Sequence, residues 1–399
     1  MGSIADNWKE LSGSNNWKGL LEPLNVNLRR YVIHYGERVE AIYDSFNSET
    51  NSRAYGFPRF PPEKLFSEVD LQDGNPYKYT VTNYFYAYSE VDIDNVAVAH
   101  QSAWIGYVAV VTDEGKDVLG RRDILVSWRG TKGEVEWIKD FQFDLVSASD
   151  IFTGNNNALV HDGFHSIYTK SKSDSTYNKS SAREQVLKEV KALVDKYNDE
   201  EISITVTGHS LGAALATLNA ADIVASESNK PTGSHTACTV TAFVFGSPHV
   251  GDDGFKTAFD ALSNLHLLRI RNAKDIVPCL PPFALGDTSH NYVDVGEELK
   301  IDTTKSPYEK TDITDLLTLL SVWHNLENYL HGVAGTQGSG EFKLVVDRDY
   351  NLVNKGLDIL KTEYHIPANW WTGVKNKCMV QLDNGFWKPQ EYVPDPPST

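Results

Sequence analysis

The chain has 399 residues, 41% hydrophobic and 23% charged, with a formal net charge of −17. That is the balance of an ordinary globular protein. The acidic excess argues against a nucleic-acid partner, because phosphate backbones are bound by clustered Lys and Arg, and it weakens attraction to strongly anionic membranes.

Cys238, Cys279 and Cys378 stand at no metal-ligand spacing, so neither a disulfide framework nor a metal site is expected. The opening MGSIADNWKELSG lacks the apolar core of a signal peptide, and no apolar run reaches the ~18 residues of a membrane span. These features lead to the expectation of a cytoplasmic protein.

In chain order, residues 1–75 read as a helical N-terminal extension packed on a larger body. Leu28, Tyr31, Val32, Tyr35, Val39, Ile42 and Tyr43 recur there at helical spacing. The core is expected over residues 76–345. It contains short apolar strands at 104–111, 124–128, 202–208, 239–247 and 265–271.

Between these strands lie two amphipathic or apolar helices. One begins at Ser181, which forms a capping box with Glu184; the other is the alanine-rich LGAALATLNAADIVAS, whose apolar run is too short for a membrane span because Asn219 and Asp222 interrupt it. Strands alternating with helices indicate an α/β fold with a mostly parallel central sheet covered on both faces. Residues 346–399 read as a C-terminal extension with a disordered tail, VPDPPST.

The stretch TVTGHSLGAA places Ser210 between Gly208 and Gly212, after a β-rich run and before a helix-forming one. A sharp strand–turn–helix of this kind strains the central residue and lifts its hydroxyl clear of the sheet. It also leaves the backbone N–H of Leu211 at a helix N-terminus, where an oxyanion would form.

A serine nucleophile needs a base and an orienting carboxylate, and in an α/β-hydrolase these follow the serine in the chain. Asp275 lies just past a strand end, with Asp252 and Asp253 as competitors. Spacing alone does not choose among His235, His249, His266, His290, His324, His331 and His365.

VTGHSLGAALATL, SWRGT, VHDGF, FGSPHVGD and IRNAKDIVP together resemble the class 3 lipases. The flanking WKELSGSNNWKGLLEPL, RRYVIHYGERVEAIYDSF, WHNLENYLHGVAG and LVNKGLDILKTEYHIPANWW are similar to the plant class II phospholipase A1 enzymes, so the resemblance covers nearly the whole chain. It implies an α/β-hydrolase fold with Ser210 as nucleophile, Asp275 as orienting carboxylate and His324 as base, His331 being the next choice.

The oxyanion hole implied by the family is Thr131, after SWRG, together with Leu211. His161 and Gly163 are read as structural, and His209 as a support for the turn. His249 departs from the arginine common in relatives, which bears on a supporting contact and not on the triad.

The implied activity is hydrolysis of the sn-1 ester of phospholipids. The alternatives are a neutral-lipid (mono-, di- or triacylglycerol) lipase and a non-catalytic lipase-like scaffold. No cofactor or metal is implied; the partner is phospholipid or acylglycerol at a lipid surface, with transient peripheral membrane contact. Segment 132–158, which mixes Trp137, Ile138, Phe141, Phe143, Leu145 and Phe152 with charges, reads either as an amphipathic lid or as packed surface structure.

Overall fold

The structure is a computed structural model that describes residues 3–49, 51–88, 102–131, 144–281, 291–338, 340–371 and 379–389. Its centre is a seven-stranded sheet whose spatial order follows the chain: Tyr79–Tyr88, Ser102–Val111, Arg122–Trp128, Ile202–His209, Thr239–Phe245, Leu265–Asn272 and Glu297–Ile301. The first two joins are antiparallel, and from Arg122–Trp128 onward every join is parallel. This is the mostly parallel sheet of an α/β-hydrolase.

The five expected strands are all present. That at 239 stops at Phe245, because Gly246 takes a φ of +56° and turns the chain away. Tyr79–Tyr88 and Glu297–Ile301 were not among the expected strands. They are the two edges of the sheet; Glu297–Ile301 alternates charged and apolar residues and shows no apolar run, whereas Tyr79–Tyr88 ends in the aromatic run YFYAY and is largely buried.

Alternation along the central strands sorts their side chains between two apolar layers. Ile124, Val126, Trp128, Ile204 and Val206 face one layer, closed by helices Asp162–Thr169, Ala182–Lys196 and Leu211–Ala225. Ser181 and Glu184 form the expected capping box at the start of the second of these.

Leu125, Phe243, Leu268 and Ile270 face the other layer, closed by helices Val26–Ser45 and Leu326–Ala334. The helical stripe of the N-terminal segment therefore lies against the sheet: Leu28, Tyr31, Val32, Tyr35, Val39 and Ile42 are buried, and Tyr43 is half-buried. Trp371 of the C-terminal segment donates to the Asp44 carbonyl at the end of the same helix, and the Lys355 ammonium pairs with the buried Asp44 carboxylate.

Asn219 and Asp222, the polar residues of the apolar run, lie inside helix Leu211–Ala225. Both are buried and bonded: Asn219 accepts from the Trp128 indole at 3.1 Å, and Asp222 accepts from Arg183 and from Tyr168. Within segment 132–158, residues 132–143 lie outside the described residues. Ala148, Ile151 and Phe152 are buried in the first apolar layer, so that part of the segment is packed structure. His290 and the expected tail at 393–399 also lie outside the described residues. Among those described, no helix is long and apolar enough to cross a membrane.

Candidate active site

Strand Ile202–His209 and helix Leu211–Ala225 are joined by Ser210 alone. Ser210 has φ +59° and ψ −127°, a left-handed conformation that costs a non-glycine residue on the order of 1–3 kcal/mol. The flanking glycines permit it by close approach. A Cβ on Gly208 would lie 2.1 Å from the Gly212 carbonyl oxygen, and one on Gly212 would lie 2.5 Å from that of Trp128. The Ser210 N–H donates to the Phe245 carbonyl at 2.9 Å, which ties the turn to the neighbouring strand.

His324 ends helix Leu316–His324, and the extended Asn325 then starts helix Leu326–Ala334. This junction carries the imidazole to the serine. His324 Nε2 is 2.8 Å from Ser210 Oγ, and Nδ1 is 2.7 Å from Asp275 Oδ2. The carboxylate can only accept, so Nδ1 carries the hydrogen and Nε2 is free to accept from the serine hydroxyl.

Asp275 sits in the turn after strand Leu265–Asn272. Its Oδ1 accepts from the Val277 N–H at 2.9 Å, and its Oδ2 also accepts from the Tyr329 hydroxyl at 2.5 Å. Burial, followed by the charge of Asp275, raises the Tyr329 phenol well above its ordinary range and keeps it a donor. Gly246 leaves room for the pair, since a Cβ there would stand 3.0 Å from His324 Cε1 and 3.1 Å from Asp275 Oδ2.

A second set of bonds holds the imidazole from behind. His209 Nε2 donates to the backbone carbonyl of His324 at 2.7 Å, which leaves His209 Nδ1 to accept from the Tyr43 hydroxyl at 2.9 Å. Burial first, then the neighbouring His324, hold His209 well below its ordinary titration range, so it stays neutral. The N-terminal helix thus reaches the site through Tyr43.

Sequence reading placed Tyr43 on the helix stripe and gave it no role at the site. Tyr329 enters the sequence reading only as part of the HNLENYLH pattern that marks His324, with no role of its own, and Gly246 lies unremarked inside FGSPHVGD. The tyrosine five residues past His324 and the glycine ending a strand do not reveal these contacts without the fold.

Thr131 follows Gly130, where a Cβ would lie 3.2 Å from Ser210 Cβ. The Thr131 hydroxyl is buried and has no hydrogen-bond partner among the described residues. The Leu211 N–H opens its helix, where N–H groups have no intrahelical acceptor. The structure therefore brings Ser210, His324 and Asp275 together, with Leu211 and the Thr131 loop beside the serine.

The rival residues are occupied elsewhere. His331 Nε2 bonds to Ser306 Oγ at 2.8 Å, and burial pushes its pKa down to about 3. Asp252 caps helix Asp253–Asp260 and also accepts from Leu159, while Asp253 is exposed. His161 accepts from the Gly163 N–H and caps helix Asp162–Thr169. His249 donates to the Pro281 carbonyl at 2.7 Å. Among the described residues no group of three or more His, Cys, Asp or Glu side chains could hold a metal ion.

Residues 125–285 match the family lipase (class 3). Over 99% of its length the chain is 48% identical to phospholipase A1-II 1 of Oryza sativa subsp. indica, spanning 98% of that protein. It is 46% identical to phospholipase A1-IIbeta of Arabidopsis thaliana, over 97% of this chain and 94% of that one. Among solved structures, a lipase from Rhizopus microsporus var. chinensis aligns at 19% identity with a TM-score of 0.44, over 71% of this chain and 77% of that one. The chain belongs to the phospholipase A1-II family of class 3 lipases.

Proposed function

We propose that this protein hydrolyses the sn-1 ester of phospholipids through an acyl-enzyme. The observation that carries the reading is the continuous chain of hydrogen bonds from Ser210 Oγ through His324 to Asp275, in a chain nearly half identical to phospholipases A1-II over its whole length. Ser210 Oγ attacks the ester carbonyl as His324 Nε2 takes its proton. Asp275 fixes the tautomer and stabilises the imidazolium. The Leu211 N–H and the Thr131 hydroxyl receive the developing oxyanion.

Collapse of the tetrahedral intermediate expels the lysophospholipid alcohol, protonated by His324. Water, deprotonated by the same imidazole, then releases the fatty acid and restores Ser210. No step needs a metal or an organic cofactor.

The test is product analysis with phosphatidylcholine bearing different acyl chains at its two positions. The expected products are the sn-1 fatty acid and the 2-acyl lysophospholipid. Ser210→Ala should lower turnover by about 10⁴- to 10⁶-fold. Preferential cleavage of diacylglycerol would move the assignment to a neutral-lipid lipase, and hydrolysis persisting in a folded Ser210→Ala protein would remove Ser210 from the mechanism.

A further inference from the structure

Six large apolar side chains are exposed among the described residues, and three of them lie on the two segments that carry His324 and Asp275. Leu316 (63% exposed) and Leu317 (54%) open the helix ending at His324, and Ile276 (39%) follows Asp275. The remaining three, Tyr177, Val345 and Leu382, are single residues on other segments, which is ordinary for a protein surface.

Leu319 and Leu320 are half-buried, so four leucines contribute to this end of the helix. Val322 and Trp323, at its other end, pack with Val353, Ile359 and Leu360. At 1.5 Å per residue the exposed pair stands roughly 10–12 Å along the helix axis from His324. Whatever covers Leu316 and Leu317 is thereby held within one lipid length of the serine.

The charge pattern says what kind of surface fits. Leu316–His324 contains no Asp, Glu, Lys or Arg. The exposed Asp312 and Asp315 precede it, in a chain of net charge −17. An anionic bilayer is repelled by these groups, whereas a zwitterionic one offers apolar contact without that penalty.

We propose that the first turn of helix Leu316–His324 docks this protein on a zwitterionic phospholipid surface and presents the ester to Ser210. The inference rests on the acylhydrolase reading above and adds the surface through which aggregated substrate is met.

The experiment compares the full chain with Leu316→Gln/Leu317→Gln, which keeps charge and helix propensity. Co-sedimentation with phosphatidylcholine vesicles is measured in a Ser210→Ala background so that the lipid is not consumed. Hydrolysis of vesicle phosphatidylcholine and of soluble p-nitrophenyl butyrate is measured with Ser210 intact.

The double variant should bind vesicles about 10-fold or more weakly, the scale of two leucines left unburied, and lose vesicle hydrolysis to the same degree. Hydrolysis of the soluble ester should stay within about twofold. Leu316→Ala/Leu317→Ala should fall between, and serves if the glutamine pair fails to fold. Adding phosphatidylserine to the vesicles should weaken binding.

Unchanged vesicle binding by the folded double variant overturns the proposal. So does equal loss on both substrates, or a parent dimer that becomes monomeric on substitution, which assigns the face to a second copy of the chain. Wild-type protein inactive on both substrates would overturn the acylhydrolase reading instead, and the binding comparison would still decide the docking face.

Discussion

Two buried polar clusters stand at opposite ends of the same two strands, Arg122–Trp128 and Ile202–His209, and they draw on nearly the same residue types. At the N-terminal ends, Asp123 accepts from Ser203 at 2.6 Å, Thr205 at 2.9 Å, Tyr35 at 2.9 Å and Tyr79 at 2.6 Å, with the Arg121 guanidinium 3.3 Å away. At the C-terminal ends, Asp275 accepts from Tyr329 and from His324, and the serine lies one imidazole further on.

In the first cluster the serine donates directly to a carboxylate already saturated by donors, and carboxylates are weaker bases than imidazole. In the second, an imidazole stands between hydroxyl and carboxylate, and the Thr131 hydroxyl has no partner among the described residues. A hydroxyl–carboxylate pair in a sheet is a structural tie when all its valences are filled. It becomes a candidate for chemistry when a base is interposed and a donor is left over.

The largest effect should come from the histidine of the second cluster, measured against His331, which lies in neither. His324→Ala is expected to lower turnover by about 10⁴-fold or more, while His331→Ala leaves it within about an order of magnitude. Parallel steady-state assays on folded variants decide this, and the reverse ranking would break the assignment.

Asp123→Asn should do the opposite kind of damage. It leaves Arg121 buried without its carboxylate and costs about 3–5 kcal/mol in urea unfolding, with turnover per folded molecule unchanged. A selective loss of turnover with intact stability would erase the distinction between the clusters.

Thr131→Val removes the leftover hydroxyl at constant size. It should lower kcat about 10²- to 10³-fold with little change in KM, as for other oxyanion donors. If Thr131 is only structural, stability falls and kcat does not.

The smallest effect is conditional on pH. Burial holds His331 near 3 in the folded state, against its ordinary value of 6.5. Protons therefore bind the unfolded chain preferentially between those values, and stability present above pH 6.5 is lost as pH falls towards 3. At pH 5 this amounts to about 2 kcal/mol. His331→Asn should shrink the stability difference between pH 7 and pH 5 by that amount in denaturant titrations.

Ser210 was legible because its signal is local: an apolar strand, two glycines and an alanine-rich helix follow one another within residues 202–225. The same locality made the central strands and the Ser181–Glu184 capping box readable. The edge strand Glu297–Ile301 was not, since a strand buried on one face needs no continuous apolar run to form; Tyr79–Tyr88 was also missed although it ends in the aromatic run YFYAY.

His324 could not be separated from the other histidines by spacing, and the resemblance of HNLENYLH to related segments supplied the choice. Its partner serine is 114 residues away, a distance over which side-chain periodicity carries no information. Residue types and short-range geometry were thus decided by the sequence alone: a strained serine on a strand-to-helix turn, apolar strands and amphipathic helices.

Only the tertiary structure settled which distant side chains meet that serine. It showed that Tyr43 of the N-terminal helix reaches the His324 carbonyl through His209, and that Asp123 and Asp275, alike as residues, differ in what stands between them and the nearest hydroxyl. Local backbone preference acts over a few residues, whereas proximity across a sheet is set by strand order and register.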